Sequence, residues 1–288
     1  IDFTFHGKAA HAAASPELGR SALDAVELMN IGVNYMREHM PDDARVHYAY
    51  LDAGGVAPNV VQHRATVRQL VRAKDLPGLR SLIGRVKKIA EGAALMTETR
   101  VESNVFTGVS NLIGNRPLEE AMQVELDRLG PIAFDDEDRA FAREIQKTLT
   151  EDDIAVSFRR CGMPPPEDGL ALCDFVAPLD LPGAGGDGST DVGDVSWAVP
   201  TVQARVATCA VGTPFHTWQT VAQGKVPAAH KGMVYAAKVM AATAKRAIED
   251  PSLRAKAKDQ HSAYLQKTPY VCPLPDGVEP PIVKQATA

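Results

Sequence analysis

Several functions are excluded by what this 288-residue sequence lacks. No apolar run approaches the roughly 20 residues needed to cross a bilayer, and no secretory signal pattern is visible. The four cysteines, Cys161, Cys173, Cys209 and Cys272, are scattered without CxxC spacing. That spacing argues against a zinc ribbon and a disulfide framework and fits a reducing cytoplasm. No block of Lys and Arg marks a nucleic-acid face. The nearest candidate, Arg80, Arg85, Lys87 and Lys88, reads as the solvated face of a helix. With a net charge of -5 and no RNP-like aromatic strand, neither DNA nor RNA is an expected partner. HExxH, the P-loop and the GxSxG elbow are all missing, which removes the common single-motif routes to a metalloprotease, a P-loop nucleotide site or a serine hydrolase.

What is present is an ordinary globular composition, 45% hydrophobic and 23% charged, long enough for two domains. The first part has a clear period. Asp2–Gly7 alternates and predicts a strand. Ser21–Glu38 carries Leu23, Val26, Leu28, Ile31 and Tyr35 at helical spacing. Arg45–Ala53 and His63–Ala73 predict a second and third strand around the Gly/Pro turn AGGVAPN. Leu76–Leu95 predicts a helix with Leu79, Leu82, Ile83, Val86 and Ile89 as its apolar stripe, and Thr97–Phe106 a fourth strand. The order β-α-β-β-α-β is the ferredoxin-like split arrangement. We place this domain at residues 1–113, with a hinge near Asn111–Pro117, and a second domain at 114–288. The second domain is expected to hold helices at Pro117–Gly130, Asp136–Leu149, Ser189–Trp197, Ala228–Ile248 and Leu253–Leu265. It also has a strand at Thr201–Cys209, a Pro/Gly-rich irregular stretch from Cys161 to Gly188, and a Pro-rich extended tail from Pro269.

The chemistry rests on a few positions, each with a plainer reading beside it. His11 follows a strand among Ala9, Ala10, Ala12, Ala13 and Ala14. It is either an exposed structural histidine or, with small neighbours that admit a substrate closely, a hydrogen-bond donor to a developing oxyanion. Asn59 is a turn residue and Arg72 a strand-end charge. Converging on one spot, the two would suit a carboxylate, for which Arg offers a bidentate fork. His216 lies in the loop GTPFHTWQ between a strand and a helix, where ligands often bind, but one histidine does not make a metal site. Gly185–Trp197 is glycine-rich before a helix start and could bind an anion. Asp191 and Asp194 within it are either a metal or acid–base pair or a solvated, capping pair. A triad of Ser189, His216 and Asp191 lacks its elbow.

Taken together, the blocks HGKAAHAAASPELGRSALDA, DAGGVAPNVV followed by VRA, GSTDVGDVSWAVPT, and GTPFHTWQTVAQG with AAHKGM resemble the aminoacylase and carboxypeptidase G family of di-metal peptidases and amidohydrolases. The resemblance implies a ferredoxin-like lid that also forms a homodimer, followed by the C-terminal part of a zinc-exopeptidase-like α/β catalytic domain. It implies hydrolysis of an N-acyl amino acid, of the aminobenzoyl-glutamate type, by water activated on two divalent ions, zinc or manganese. By motif, His11 resembles the lid histidine that polarises the scissile carbonyl in a partner subunit. Asn59 and Arg72 resemble the lid residues that hold the substrate carboxylate, Thr190 the substrate-side loop, and His216 the last metal ligand. The family's other ligands and its general-base Glu precede the lid. The expectation is therefore that this chain alone is inactive and that the remaining half is cleaved, disordered or carried on another chain, with room for a second, related subunit. The rival expectation is a non-catalytic module that dimerises or binds a ligand.

Overall fold

The computed structural model describes residues 1–164, 166, 169–181 and 188–278. The chain divides into two compact units, one of Ile1–Asn111 with the described tail from Val271, the other of Leu112–Tyr270.

The first unit runs β1 (Asp2–His6), α1 (Ala22–Met36), β2 (Arg45–Asp52), β3 (Arg64–Arg72), α2 (Leu76–Met96) and β4 (Arg100–Asn104). This is the order that the periodicity predicts. The strands form one antiparallel sheet in the order β2-β3-β1-β4. Alternation puts Phe3 and Phe5 of β1, Val46 of β2 and Ala65 and Val67 of β3 on one face, all buried against α1 and α2. The opposite face carries polar residues, among them Arg68, whose fork binds Asp2 at 2.7 and 2.8 Å while its guanidinium lies 3.8 Å over the Phe106 ring. Both helices start at side-chain caps: Ser21 accepts from the Asp24 N–H and Asp75 from the Gly78 N–H.

The buried stripe of α1 differs from the expected one. Ala22, Ala25, Val26, Met29, Val33 and Met36 face the core, whereas Ile31 and Tyr35 are exposed. Small residues at the contact let α1 approach the sheet, so the helix turns its Ala and Met row inward rather than its bulkiest one. The expected solvated face of α2 also has structural work. Arg80 donates to the Val271 carbonyl and Arg85 to that of His39.

The second unit holds α3 (Arg116–Leu129), α4 (Asp136–Gln146), α5 (Glu151–Cys161), α6 (Val192–Ala198), α7 (Trp218–Gln223), α8 (Pro227–Glu249) and α9 (Pro251–Lys267). Capping boxes start α4, where Asp135 and Asp138 exchange bonds, and α5, where Thr150 and Asp153 do the same. Its core gathers Ile132, Phe134, Ala142, Ile145, Leu172 and Ala210. The expected strand at Thr201–Cys209 is not a strand among the described residues. A strand exists only where a neighbour takes up its N–H and C=O groups, and alternation cannot supply that neighbour. The segment instead lies against α8, so close that a Cβ at Gly232 would come 2.2 Å from the Ala207 carbonyl oxygen. Cys173, Cys209 and Cys272 are thiols outside any disulfide, and burial pushes the pKa of Cys209 up. Among the described residues, no helix is long and apolar enough to cross a membrane.

A buried carboxylate ties α3 to α8. Glu125 accepts from Arg128 and Arg246, each Nε at 2.8 Å, and these cations hold its carboxyl below the ordinary value of 4.5. A carboxylate with a lowered folded-state pKa makes the unfolded chain the better proton acceptor. Its contribution is therefore complete above pH about 4.5 and is lost as pH falls below it. Urea unfolding at a series of pH values should show a shallower acid limb for Glu125→Gln than for the parent. Parallel acid limbs would contradict the assignment.

Candidate functional site

The sequence-predicted residues of the first unit sit at the two ends of its sheet. After β1, a loop from Gly7 to Arg20 leaves and returns, its neck closed by a bridge in which the Lys8 N–H donates to the Arg20 carbonyl at 2.8 Å and the Arg20 N–H to the Lys8 carbonyl at 2.9 Å. Gly7 is required at this neck, because a Cβ there would lie 1.9 Å from the Arg20 carbonyl oxygen. Between β2 and β3, the chain turns at Gly54 and Gly55, with φ of 86° and 101°, and the Gly54 N–H donates to Asp52 Oδ1 at 2.9 Å. The two loops then pair. His11 and Val60 form an antiparallel bridge. The Ala12 N–H donates to the Asn59 carbonyl at 2.9 Å and the Val61 N–H to the Ala10 carbonyl at 2.9 Å. His11 and Asn59, 48 positions apart, are therefore neighbours, and both are exposed.

The imidazole of His11 is held by its own loop. Nδ1 accepts the N–H of Ala13 at 3.2 Å and that of Ala14 at 3.1 Å. An acceptor nitrogen carries a lone pair, so this network assigns the ring proton to Nε2. His11 is then a neutral ring whose Nε2–H is a preset donor, set among alanines that leave it open.

Arg72 is elsewhere. It closes the far end of β3, opposite Arg45, while Arg64 at the near end pairs with His6. Eight residue steps of strand separate the two ends, about 26 Å at the usual rise per residue. Within one copy, Asn59 and Arg72 do not converge on one carboxylate, and neither does His11 with Arg72.

The remaining candidates lie in the second unit. The Thr190 hydroxyl accepts the Val192 N–H at 3.3 Å just before α6. Gly185–Asp187 of the expected anion loop lie outside the described residues. Asp194 accepts the Tyr270 hydroxyl at 2.8 Å, which favours the structural reading of the Asp191 and Asp194 pair. His216 is exposed at a φ of 64°, unusual for a residue with a Cβ. Its loop is braced from beneath. Buried Gln223 accepts the Ala210 N–H at 2.7 Å and donates to the Thr213 hydroxyl at 3.0 Å, and the hydroxyls of Thr217 and Thr220 both bind the Pro214 carbonyl. A positive φ at a residue with a Cβ carries a backbone cost, and the hydrogen bonds around the loop hold it in place. Among the described residues no group of three or more His, Cys, Asp or Glu is placed to hold a metal ion. The chain's described donors therefore do not by themselves fit a two-ion centre.

Two structural features escaped the sequence. α5 was signalled only by its capping pair, Thr150 and Asp153. Arg20 lies inside the first block, but nothing in its spacing announces that it ties the His11 loop shut.

No protein-family model matches the chain. It is 45% identical over 289 aligned residues to a subunit of the p-aminobenzoyl-glutamate hydrolase of Escherichia coli K12, covering 97% of this chain and 60% of that protein, and is a close homologue of it. It is 26% identical to the Xaa-Arg dipeptidase of Mus musculus, covering 93% of this chain and 52% of that protein. The chain thus spans a little over half the length of these curated relatives, one named as a subunit of a hydrolase and the other as a dipeptidase. A solved aminobenzoyl-glutamate utilization protein from Klebsiella pneumoniae aligns with 44% of this chain and 32% of its own, at 24% identity and a TM-score of 0.39.

The left-handed backbone at His216 sets an expectation for stability. His216→Gly, free of the Cβ clash but looser when unfolded, should leave stability within about 0.5 kcal/mol of the parent or above it. His216→Val should cost about 1–2 kcal/mol in urea unfolding. Equal stabilities for the two variants would contradict the strain.

Proposed function

We propose that the chain is a member of the di-metal aminoacylase and carboxypeptidase G family and forms part of a metal-dependent amidohydrolase acting on an N-acyl amino acid of the aminobenzoyl-glutamate type. The homology to the p-aminobenzoyl-glutamate hydrolase subunit over 97% of the chain supports the reaction class. The observation that carries the reading to residues is the His11 turn. A scissile amide carbonyl gains negative charge as it is attacked, and a neutral imidazole with its Nε2–H fixed outward can donate to that oxygen without reorganising.

In this reading the first unit is a ferredoxin-like lid. His11 and Asn59 at one end of its sheet serve one site, and Arg72 at the other end holds the carboxylate of a substrate in another. Because the two ends are far apart, one complete site draws on two copies. The surface of α1 and β2 suits that second copy. β2 is an edge strand, and Tyr48 and Tyr50 on it and Ile31 and Tyr35 on α1 are exposed. A homodimer places the same patch on itself. Thr190 belongs to the loop on the substrate side. His216 is the ligand this chain offers to two ions, zinc or manganese, which would activate the attacking water, and one histidine cannot hold them alone. The relative's designation as a subunit leaves room for a second chain in the assembly.

The test uses the protein at the relatives' full length, loaded with zinc or manganese and given aminobenzoyl-glutamate. His11→Ala should lower kcat by roughly 10²- to 10³-fold with little change in KM, whereas Arg72→Ala should act mainly on KM. Undiminished kcat in His11→Ala contradicts the donor role. Tight binding of the amide without any hydrolysis would favour the non-catalytic, ligand-binding reading.

A further inference from the structure

We infer that Arg20 is a positioning residue for His11, and that Arg20 and Glu98 together hold the imidazole as an Nε2–H donor. The inference deepens the reading of His11 as the carbonyl donor and rests on it.

Arg20 is bound on three sides. Its Nε donates to Glu98 Oε2 at 2.9 Å, and Nη1 donates to the carbonyl oxygens of Glu17 at 3.1 Å and Gly19 at 2.7 Å. Its backbone forms the neck of the His11 loop with Lys8. One residue therefore closes the loop through the main chain and gathers the returning limb through the side chain. Glu98 comes from outside the loop, from the turn between α2 and β4, and stands at a φ of 53° without being glycine or asparagine. That unusual backbone delivers its carboxylate to Arg20.

The link from Arg20 to His11 is short and physical. Gly19, whose carbonyl Arg20 binds, lies against Val61, where a Cβ would come 2.8 Å from a Val61 methyl. Val61 bonds Ala10 through the main chain, and the next pair along is Val60 with His11. The turn that presents the Ala13 and Ala14 amides to Nδ1 starts there, with the Ser15 N–H donating to the His11 carbonyl at 3.1 Å. Arg20 and Glu98 are both substantially solvent-exposed, and an exposed ion pair contributes little to global stability. The expected consequence of losing it is a local loosening of the loop. A hydrogen-bonded guanidinium released from its carbonyls frees Glu17–Gly19, and the register of Ala10 and His11 against Val60 and Val61 relaxes with it.

The prediction can be read on the 288-residue chain itself, without substrate. In the parent, imidazole ¹⁵N resonances of His11, identified by their loss in His11→Ala, should show an unprotonated Nδ1 and a protonated Nε2 near neutral pH. Arg20→Ala should move both toward the averaged values of a free imidazole. It should also speed amide exchange at Ala13 and Ala14 roughly tenfold, the scale of losing about one net hydrogen bond, while sheet amides such as those of Phe3 and Val67 keep their rates. Arg20→Lys, which keeps the charge and loses the fork, should fall between the two. Glu98→Gln should shift the same signals in the same direction by less. Unchanged His11 nitrogens and unchanged Ala13 and Ala14 exchange in Arg20→Ala overturn the proposal, as does an equal acceleration across the whole sheet. If Arg20→Ala loses the fold altogether, Glu98→Gln decides by the same two readouts. A null result here leaves the donor role of His11 to be judged by kcat, so the two claims fail separately.

Discussion

Two backbone amides, those of Ala13 and Ala14, converge on one nitrogen of His11, and the functional account depends on that convergence. A histidine on an exposed loop would otherwise sample both tautomers and many rotamers, and its value as a donor would be diluted by each. The turn removes that freedom with main-chain groups, which need no particular side chains. This is consistent with a neighbourhood made almost wholly of alanine. The small residues leave the ring open and keep the turn tight. The pairing of the His11 loop with Asn59–Val61 then anchors the turn to the sheet through β1 and β3.

The sheet imposes the second constraint. β3 is extended and paired on both sides, by β2 and β1, so its ends cannot approach each other. Asn59 precedes one end and Arg72 occupies the other. Residues that sequence spacing invites one to join are separated by the rigidity of the strand between them. If all of them serve one substrate, the substrate must lie between copies, and the exposed Tyr48 and Tyr50 on edge strand β2, with Tyr35 on α1, are the proposed place for those copies to meet.

The first unit was legible in the sequence because its elements make their own partners. Phe3 and Phe5 alternate, Val67 and Val71 alternate, and Leu82 and Val86 repeat at helical spacing, and every one of these elements finds its neighbour within about 110 residues. The face of α1 is less legible, because the hydrophobic bulk of Ile31 and Tyr35 lies away from the alanine and methionine row that is buried. Thr201–Cys209 failed for a different reason. Its alternation is genuine, but pairing is a tertiary fact, and among the described residues nothing pairs with it. At the site, His11 and Asn59 were found by their motifs, and their contact required two loops 48 residues apart to fold back on each other. The ring's tautomer, the neck at Gly7 and the clamp made by Arg20 and Glu98 are invisible without coordinates. They arise from main-chain direction, which residue types do not record.

The central claim is that one site takes His11 from one copy and Arg72 from another. It is tested most directly by mixing the full-length variants His11→Ala and Arg72→Ala under conditions that let subunits exchange, at substrate far below the raised KM of Arg72→Ala, where each variant alone turns over little. Random pairing makes half the dimers mixed, and each mixed dimer has one intact site of two, so activity should return to about one quarter of the parent's. Activity that stays at the level of the separate variants, with exchange shown to occur, would contradict the account.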